Sequence, residues 1–267
     1  MAKKTDIPNF GPLNGVRVVH CSQSLAGPFA ASLMADLGAD VIWVESAVGQ
    51  DVSRIAPGMA AQLDRRNMRT IKLNVNTPAG KEVLLRLVRE ADIFLEASKP
   101  GQYRKWGLTD EVLWGENPQL VITHISGFGQ WGDPDYVRRA SYDPIAQAFS
   151  GVMYMNGLPG RRSAPAEVSI SDYYTGYMAA FASLAAYISA GKGRQHRRLA
   201  VRVHAQVRGR LAAGHMERLR PSLRTGQGQQ RKRRLQQLHV QRRPGGLHGH
   251  HRPGAAQEAD GAAGPAV

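Results

Sequence analysis

A chain of 267 residues has room for one large domain or two ordinary ones, and its net charge of +14 would ordinarily point to a polyanionic partner. That charge is not spread over the chain: residues 1–190 hold 18 basic and 18 acidic residues, so the whole excess lies in 191–267. A single cysteine, Cys21, excludes an internal disulfide and makes a reducing, cytoplasmic setting the default.

The first run with strand character is VRVVHC (16–21). AGPFAASLMADLGA (26–39) follows with apolar residues at helical spacing, and DVIWVES (40–46) is a second strand. Together they form a β-α-β unit, the building block of a parallel sheet. TIKLN (70–74) is a further strand, and PAGKEVLLRLVREA (78–91) reads as a helix with proline in its first turn and an apolar stripe of Val83, Leu84, Leu87 and Val88. DIFLEAS (92–98) and LVITHIS (120–126) are strands separated by the short helical stretch DEVLWGENP. A long helix starts near Ser171 in DYYTGYMAAFASLAAYISAG. Strands alternating with helices predict an α/β sheet with helices on its faces. The apolar run 176–190 is too short and too interrupted to span a membrane, and the N-terminal MAKKTDIPNFGPL lacks the apolar core of a signal peptide.

Several short patterns invite a functional reading. GFGQWG (127–132) matches a dinucleotide fingerprint after a strand, but DPDYVRRAS follows it without a helical pattern, so a loop that shapes a pocket is the better expectation. Asp172 stands where the long helix begins. There it serves either as an N-cap or as a nucleophile kept ionised by the helix end. Lys99, Arg104 and Lys105 follow a strand's C-terminal end, where ligands of open α/β sheets bind and where cations suit a phosphate-bearing ligand; a solvated loop is the plain alternative. RRNMRT (65–70) is a weaker cluster of the same kind. RKRR (231–234) and HGHH (248–251) imitate a nucleic-acid patch and metal ligands, but such matches arise cheaply in so biased a composition.

Taken in order, GPLNGVRVV, LAGPFAASLMADLGADVIWVE, RRNMRTIKLNVNTPAGKE, EADIFLEASKPG, NPQLVITHISGFGQWG, YDPIAQAFSGVMYMNG and DYYTG resemble the class III CoA-transferases, continuously from about Phe10 to Gly193. Within the family, VIWVES, FLEASK, TDEVLW and GFGQ…IAQAFSG are most similar to the carnitine-directed members. The resemblance implies a Rossmann-like open parallel sheet with flanking helices over residues 1–193, the N-terminal part of the family's large domain. It also implies transfer of CoA between an acyl-CoA and a free carboxylic acid. In that reading Asp172, in SDYYTG, is the catalytic nucleophile, passing through an aspartyl-acyl anhydride and an aspartyl-CoA thioester. Lys99 matches a CoA-contacting position. A second contact, an arginine in the carnitine-directed members, is Trp106 here, leaving Arg104 or Lys105 to substitute. Tyr142, Tyr173 and Tyr174 are candidates to face a trimethylammonium group. Coenzyme A is the co-substrate, no metal or permanently bound cofactor is required, and homodimers are expected of the full-length family member.

Beyond Gly193 the resemblance stops. Phe, Trp and Tyr end at Tyr187 and Ile at Ile188, while seven of nine histidines lie past Gly191. Such a composition predicts a disordered basic tail over 194–267. Where the family continues with a segment like QHIDVSLYE, this chain reads RQHRRLAVRV. Codons chosen for 196–207 can be read one base over as IDVSLYESMRK, so the tail is expected to be out of frame from near His196. The chain is then expected to lack downstream parts of the family's active site and to be inactive by itself. The alternative is a non-catalytic α/β protein whose basic tail binds nucleic acid.

Overall fold

A computed structural model describes residues 10–55, 60–156, 161–191, 199–204 and 239–242. In chain order the elements are β1 (Arg17–His20), α1 (Ala26–Asp36), β2 (Asp40–Ser46), α2 (Val52–Ile55), α3 (Ala60–Asp64), β3 (Met68–Leu73), α4 (Pro78–Arg89), β4 (Ile93–Glu96), α5 (Gln102–Lys105), α6 (Asp110–Glu116) and β5 (Val121–Ser126). There follow α7 (Pro134–Val137), α8 (Asp143–Ser150), α9 (Val152–Met155), α10 (Ile170–Gly191), β6 (Leu199–His204) and β7 (His239–Arg242). The strands form one sheet in the order β3-β2-β1-β4-β5-β6-β7. All adjacent pairs from β3 to β6 are parallel, and β7 is antiparallel to β6. The chain therefore reverses its direction of growth between β1 and β4, which opens a crevice beyond the carboxyl ends of those two strands.

Period-two alternation builds two cores. Val18, Val41, Ile93, Leu95, Val121 and Val201 pack on α1 and α10, while Val19, Ile42, Val44, Phe94, Ile122 and Ala200 pack on α4 and α6. Because helices cover both faces, β1, β4 and β5 are buried along their whole length. Proline at N1 and the Thr77 hydroxyl, which accepts from the Gly80 N–H at 3.2 Å, start α4. On the opposite face α1 and α10 cross closely. A Cβ placed on Gly176 would lie 2.7 Å from Phe29 Cδ1 and 2.8 Å from the Ala26 carbonyl oxygen, so glycine sets that approach. The Thr123 and Ser183 hydroxyls, 2.7 Å apart, tie β5 to α10.

Three expectations need correction. The boundary at residue 193 falls short of the sheet, because LAVRVH enters it as β6 beside β5 with Ala200, Val201 and Val203 buried, and 239–242 adds β7. An alternating LAVRV run suffices for a covered slot whatever the composition around it. The rest of 194–267, RKRR and HGHH included, lies outside the described residues. Second, a helix does follow GFGQWG. It is the four-residue α7, started by the Asp133 side chain accepting from the Asp135 N–H at 2.9 Å, and too short to be the helix of a dinucleotide site. Phe128 of that loop instead packs on Tyr136 and Phe149, with ring centroids 5.9 and 5.1 Å away. Third, RRNMRT is consumed by structure: Arg65 pairs with Asp51 at 2.8 Å and lies over the Trp43 ring, Arg66 pairs with Asp36, and Arg69 pairs with Asp40 at 2.5 Å.

Candidate active site

Strand order brings two of the sequence's candidate residues, Lys99 and Arg104, to clefts at the carboxyl edge of the sheet. Cys21 directly follows β1, and Ala97, Ser98 and Lys99 follow β4, so the crevice between them is lined from both sides. A cleft of about 600 Å³ there also takes in Gln23, Ser46, Asn74, Asn76, Gln102, Tyr103 and Trp106. Its walls offer amide, hydroxyl and indole groups together with the Lys99 ammonium. Such a lining is able to hold a long, flexible ligand with a phosphate terminus. Cys21 is held as a thiol: burial pushes it up to about 12, against a smaller opposing effect of its hydrogen bond with Tyr103. That pKa leaves little thiolate for nucleophilic chemistry.

Lys99 also borders a second, smaller cleft of about 160 Å³, shared with Arg104, Glu96, Asp110, Glu111, His124, Gln130 and Arg202. The structure thus brings Lys99 and Arg104 together. Lys105 is exposed and is not among the residues lining either cleft. Trp106 borders the larger cleft, its ring 5.3 Å from that of Tyr103. Residues 97–109, which carry all three cations, hang between the end of β4 and the start of α6 on the α4–α6 side of the sheet.

Asp172 lies on the other side, in the first turn of α10. It is not the N-cap. The carboxylate that fills that role belongs to Asp143, which is buried at the start of α8 and accepts from the Ser171 N–H at 2.7 Å and the Asp172 N–H at 3.2 Å. Gln147 holds the other Asp143 oxygen through Nε2 and uses its own carbonyl to take the Ala166 N–H at 2.8 Å. Among the described residues the Asp172 carboxylate accepts no hydrogen bond. Burial, followed by the neighbouring Asp143 charge, pushes it up from 3.8 to about 7. The expectation of a carboxylate kept ionised by the helix end therefore needs correction. Asp143 occupies the exposed N–H groups of α10, and its negative charge opposes a second one. What results is a poorly solvated carboxyl that titrates near neutrality, a perturbation of the kind that clusters at functional sites.

Around Asp172 the side chains are aromatic. Tyr173 and Tyr177 meet Phe29 of α1 edge-on at 4.7 and 5.0 Å, and Tyr173 is itself raised by burial and by the Asp64 and Asp172 carboxylates. Tyr142 and Tyr174 are exposed. Asp143, Glu96, Asp110, His124 and Arg202 were missed by sequence reasoning. The available signals were an aspartate directly before Pro144 at a helix start, and single polar residues near the ends of the apolar runs IFLE and VITHIS. Among the described residues no group of three or more His, Cys, Asp or Glu side chains is arranged to hold a metal ion, and no helix is long and apolar enough to cross a membrane.

Comparison with known proteins identifies the family. Residues 13–242 match the profile of CoA-transferase family III. The L-carnitine CoA-transferases of Proteus sp. (strain LE138) and Proteus mirabilis (strain HI4320) are each 45% identical to this chain over 186 residues, which is 70% of this chain and 45% of each relative. The chain thus spans about half the length of the curated relatives it matches. Among solved structures, a CAIB/BAIF family protein from Brucella suis is 34% identical with a TM-score of 0.71, covering 79% of this chain and 58% of that one. Rv3272 from Mycobacterium tuberculosis is 27% identical with a TM-score of 0.68, covering 82% and 60%. With the open parallel sheet, the crevice at its carboxyl edge and the match across 13–242 in hand, the chain is a member of CoA-transferase family III.

Proposed function

We propose that this chain carries the nucleophile and the CoA cleft of an enzyme that moves CoA between an acyl-CoA and a carboxylic acid of the carnitine type. The observation that carries the reading is Asp172: a half-buried carboxyl in the first turn of α10, capped by a different aspartate and therefore available for chemistry. A carboxylate oxygen of Asp172 attacks the thioester carbonyl carbon. The C–S bond breaks, CoA leaves as the thiolate, and a mixed anhydride remains on the enzyme. The thiolate then attacks the Asp172 carbonyl, releasing the first acid as its carboxylate and leaving an aspartyl-CoA thioester. The incoming carboxylate attacks that thioester and the two steps run in reverse. One hard exchange is thereby divided into easier acyl transfers.

The cleft at the ends of β1 and β4 is assigned to CoA, with Lys99 and Arg104 on its phosphates and the polar walls along its pantetheine chain. The name of the Proteus relatives supports carnitine as the acid. So does Tyr173, whose hydroxyl is pushed up by burial and by the Asp64 and Asp172 carboxylates, since an aromatic ring near negative charge attracts a trimethylammonium group. Exposed Tyr177, Phe181 and Ile188 on α10 support burial of that face against a second copy, in line with a homodimer. The reading frame is proposed to slip near His196, on the abrupt change of composition at 191. Sequencing the gene through codons 185–215 tests this last point: an extra or missing base supports it, and an intact frame overturns it.

The nucleophile is tested by incubating the chain with an acyl-CoA and trapping the activated carboxyl with hydroxylamine. Thiol release with a hydroxamate at Asp172, absent in Asp172→Asn, supports the assignment. Modification at another carboxylate overturns it.

A further inference from the structure

His124, the fourth residue of β5, is buried with a carboxylate on each ring nitrogen. Nδ1 lies 2.6 Å from Glu96 Oε1 and Nε2 lies 3.0 Å from Asp110 Oδ1. An imidazole donates from both nitrogens only when it is protonated, so the arrangement calls for imidazolium. Its two partners are not placed at random along the chain. Glu96 is the last residue of β4 and Asp110 the first of α6, so they bracket the segment 97–109 that bears Lys99 and Arg104. Each carboxylate has a second anchor. Glu96 Oε2 accepts from the Ser98 N–H at 2.7 Å, directly before Lys99. Asp110 Oδ2 accepts from Arg202 of β6 at 3.2 Å, and the Arg202 guanidinium lies 5.5 Å over the Trp131 ring.

We infer that His124, as imidazolium, is the positioning residue of the CoA-facing segment, clamping the two ends of 97–109 to β5 through Glu96 and Asp110. The inference rests on the assignment of CoA to the neighbouring cleft. The charged groups facing His124 come from every element around it: Glu96 from β4, Asp110 and Glu111 from α6, Arg202 from β6, and Lys99 and Arg104 from the segment itself. Burial by itself would lower the imidazole. The hydrogen bonds of Asp110 and Glu96 outweigh it and raise the group to about 9. The clamp therefore holds throughout neutral pH and opens as pH rises through that value.

The test pairs amide hydrogen exchange with calorimetric CoA binding on the full chain, comparing wild type, His124→Gln, Asp110→Asn and Lys99→Ala. Losing a hydrogen bond between charged groups should speed exchange at 97–109 by about tenfold and weaken CoA binding by about tenfold in both clamp variants, with α10 unchanged. In the wild type, exchange at 97–109, corrected for its intrinsic pH dependence, should accelerate between about pH 8 and pH 10, while His124→Gln shows no such step. Unchanged exchange at 97–109 in both clamp variants overturns the clamp. Looser exchange with CoA affinity intact, while Lys99→Ala weakens it, overturns the link to CoA. Failure of the wild type to bind CoA sinks the cleft assignment and that link together, whereas the exchange data still decide the clamp.

Discussion

Replacing Asp172 by asparagine should stabilise the protein, and by an amount that depends on pH. The carboxyl titrates near 3.8 when unfolded and about 7 in the fold. Because the folded value is raised, the neutral carboxyl's contribution is complete below the unfolded pKa and is lost as pH rises through the folded one. The rise corresponds to an upper limit of ~4 kcal/mol of folding free energy lost on ionisation. Partial exposure of the first turn of α10 lets water relax around the charge, so a loss of about 2 to 4 kcal/mol is expected. Asparagine does not ionise and forfeits no hydrogen bond among the described residues. Any constant penalty from desolvating its amide cancels between two pH values. Urea denaturation of wild type and Asp172→Asn at about pH 5 and pH 8.5 should therefore show a variant advantage that is larger at the alkaline pH by roughly 1 to 3 kcal/mol. Equal advantages at both pH values, or a variant that loses ground at pH 8.5, would refute the claim that Asp172 is held partly neutral at a cost to stability. If Asp172 is the nucleophile proposed above, the same titration predicts that trapping of its activated carboxyl by hydroxylamine rises with pH through about 7, since the ionised carboxylate is the attacking form.

Further outcomes follow from other contacts. Gly176→Ala gains about 1 kcal/mol of helix propensity but drives a methyl group into Phe29 and the Ala26 carbonyl, so a net loss of roughly 1 to 2 kcal/mol is expected in urea denaturation. Arg17 is buried and bonded to Asp40 at 2.7 Å and Glu90 at 2.6 Å, and Arg17→Ala should cost about 2 to 4 kcal/mol by the same assay because it empties a buried site and removes one of the two guanidiniums on buried Asp40, Arg69 remaining. Cys21, pushed up to about 12, should react with iodoacetamide at pH 8 about three orders of magnitude more slowly than an ordinary cysteine, as mass spectrometry would follow. Asp143→Asn removes the charge beside Asp172, so its carboxyl should titrate lower while remaining above 3.8, because burial, the larger cause, is unchanged. Carbon-13 NMR of the Asp172 carboxyl checks this.

The amino-acid sequence by itself determined the parallel sheet and its principal elements. VRVVHC, DVIWVES, DIFLEAS and LVITHIS carry apolar runs that only a doubly covered sheet can bury, and each lies within a residue or two of the observed strand. It also singled out Asp172 and the Lys99 segment, the first through its place in SDYYTG and the second through its place after a strand. Only the tertiary structure decided what those residues are able to do. The Asp143 carboxylate, 29 residues away in the chain, takes the helix N–H groups and lifts Asp172 toward neutrality. Glu96, Asp110 and His124 become one cluster only when β4, α6 and β5 stand side by side. LAVRVH was hidden inside a basic run, and its alternation acquires meaning only beside β5. The division has a physical reason. Backbone periodicity and turn chemistry act over a few residues and can be read locally, whereas burial and charge coupling depend on which distant groups the sheet brings within a few ångströms.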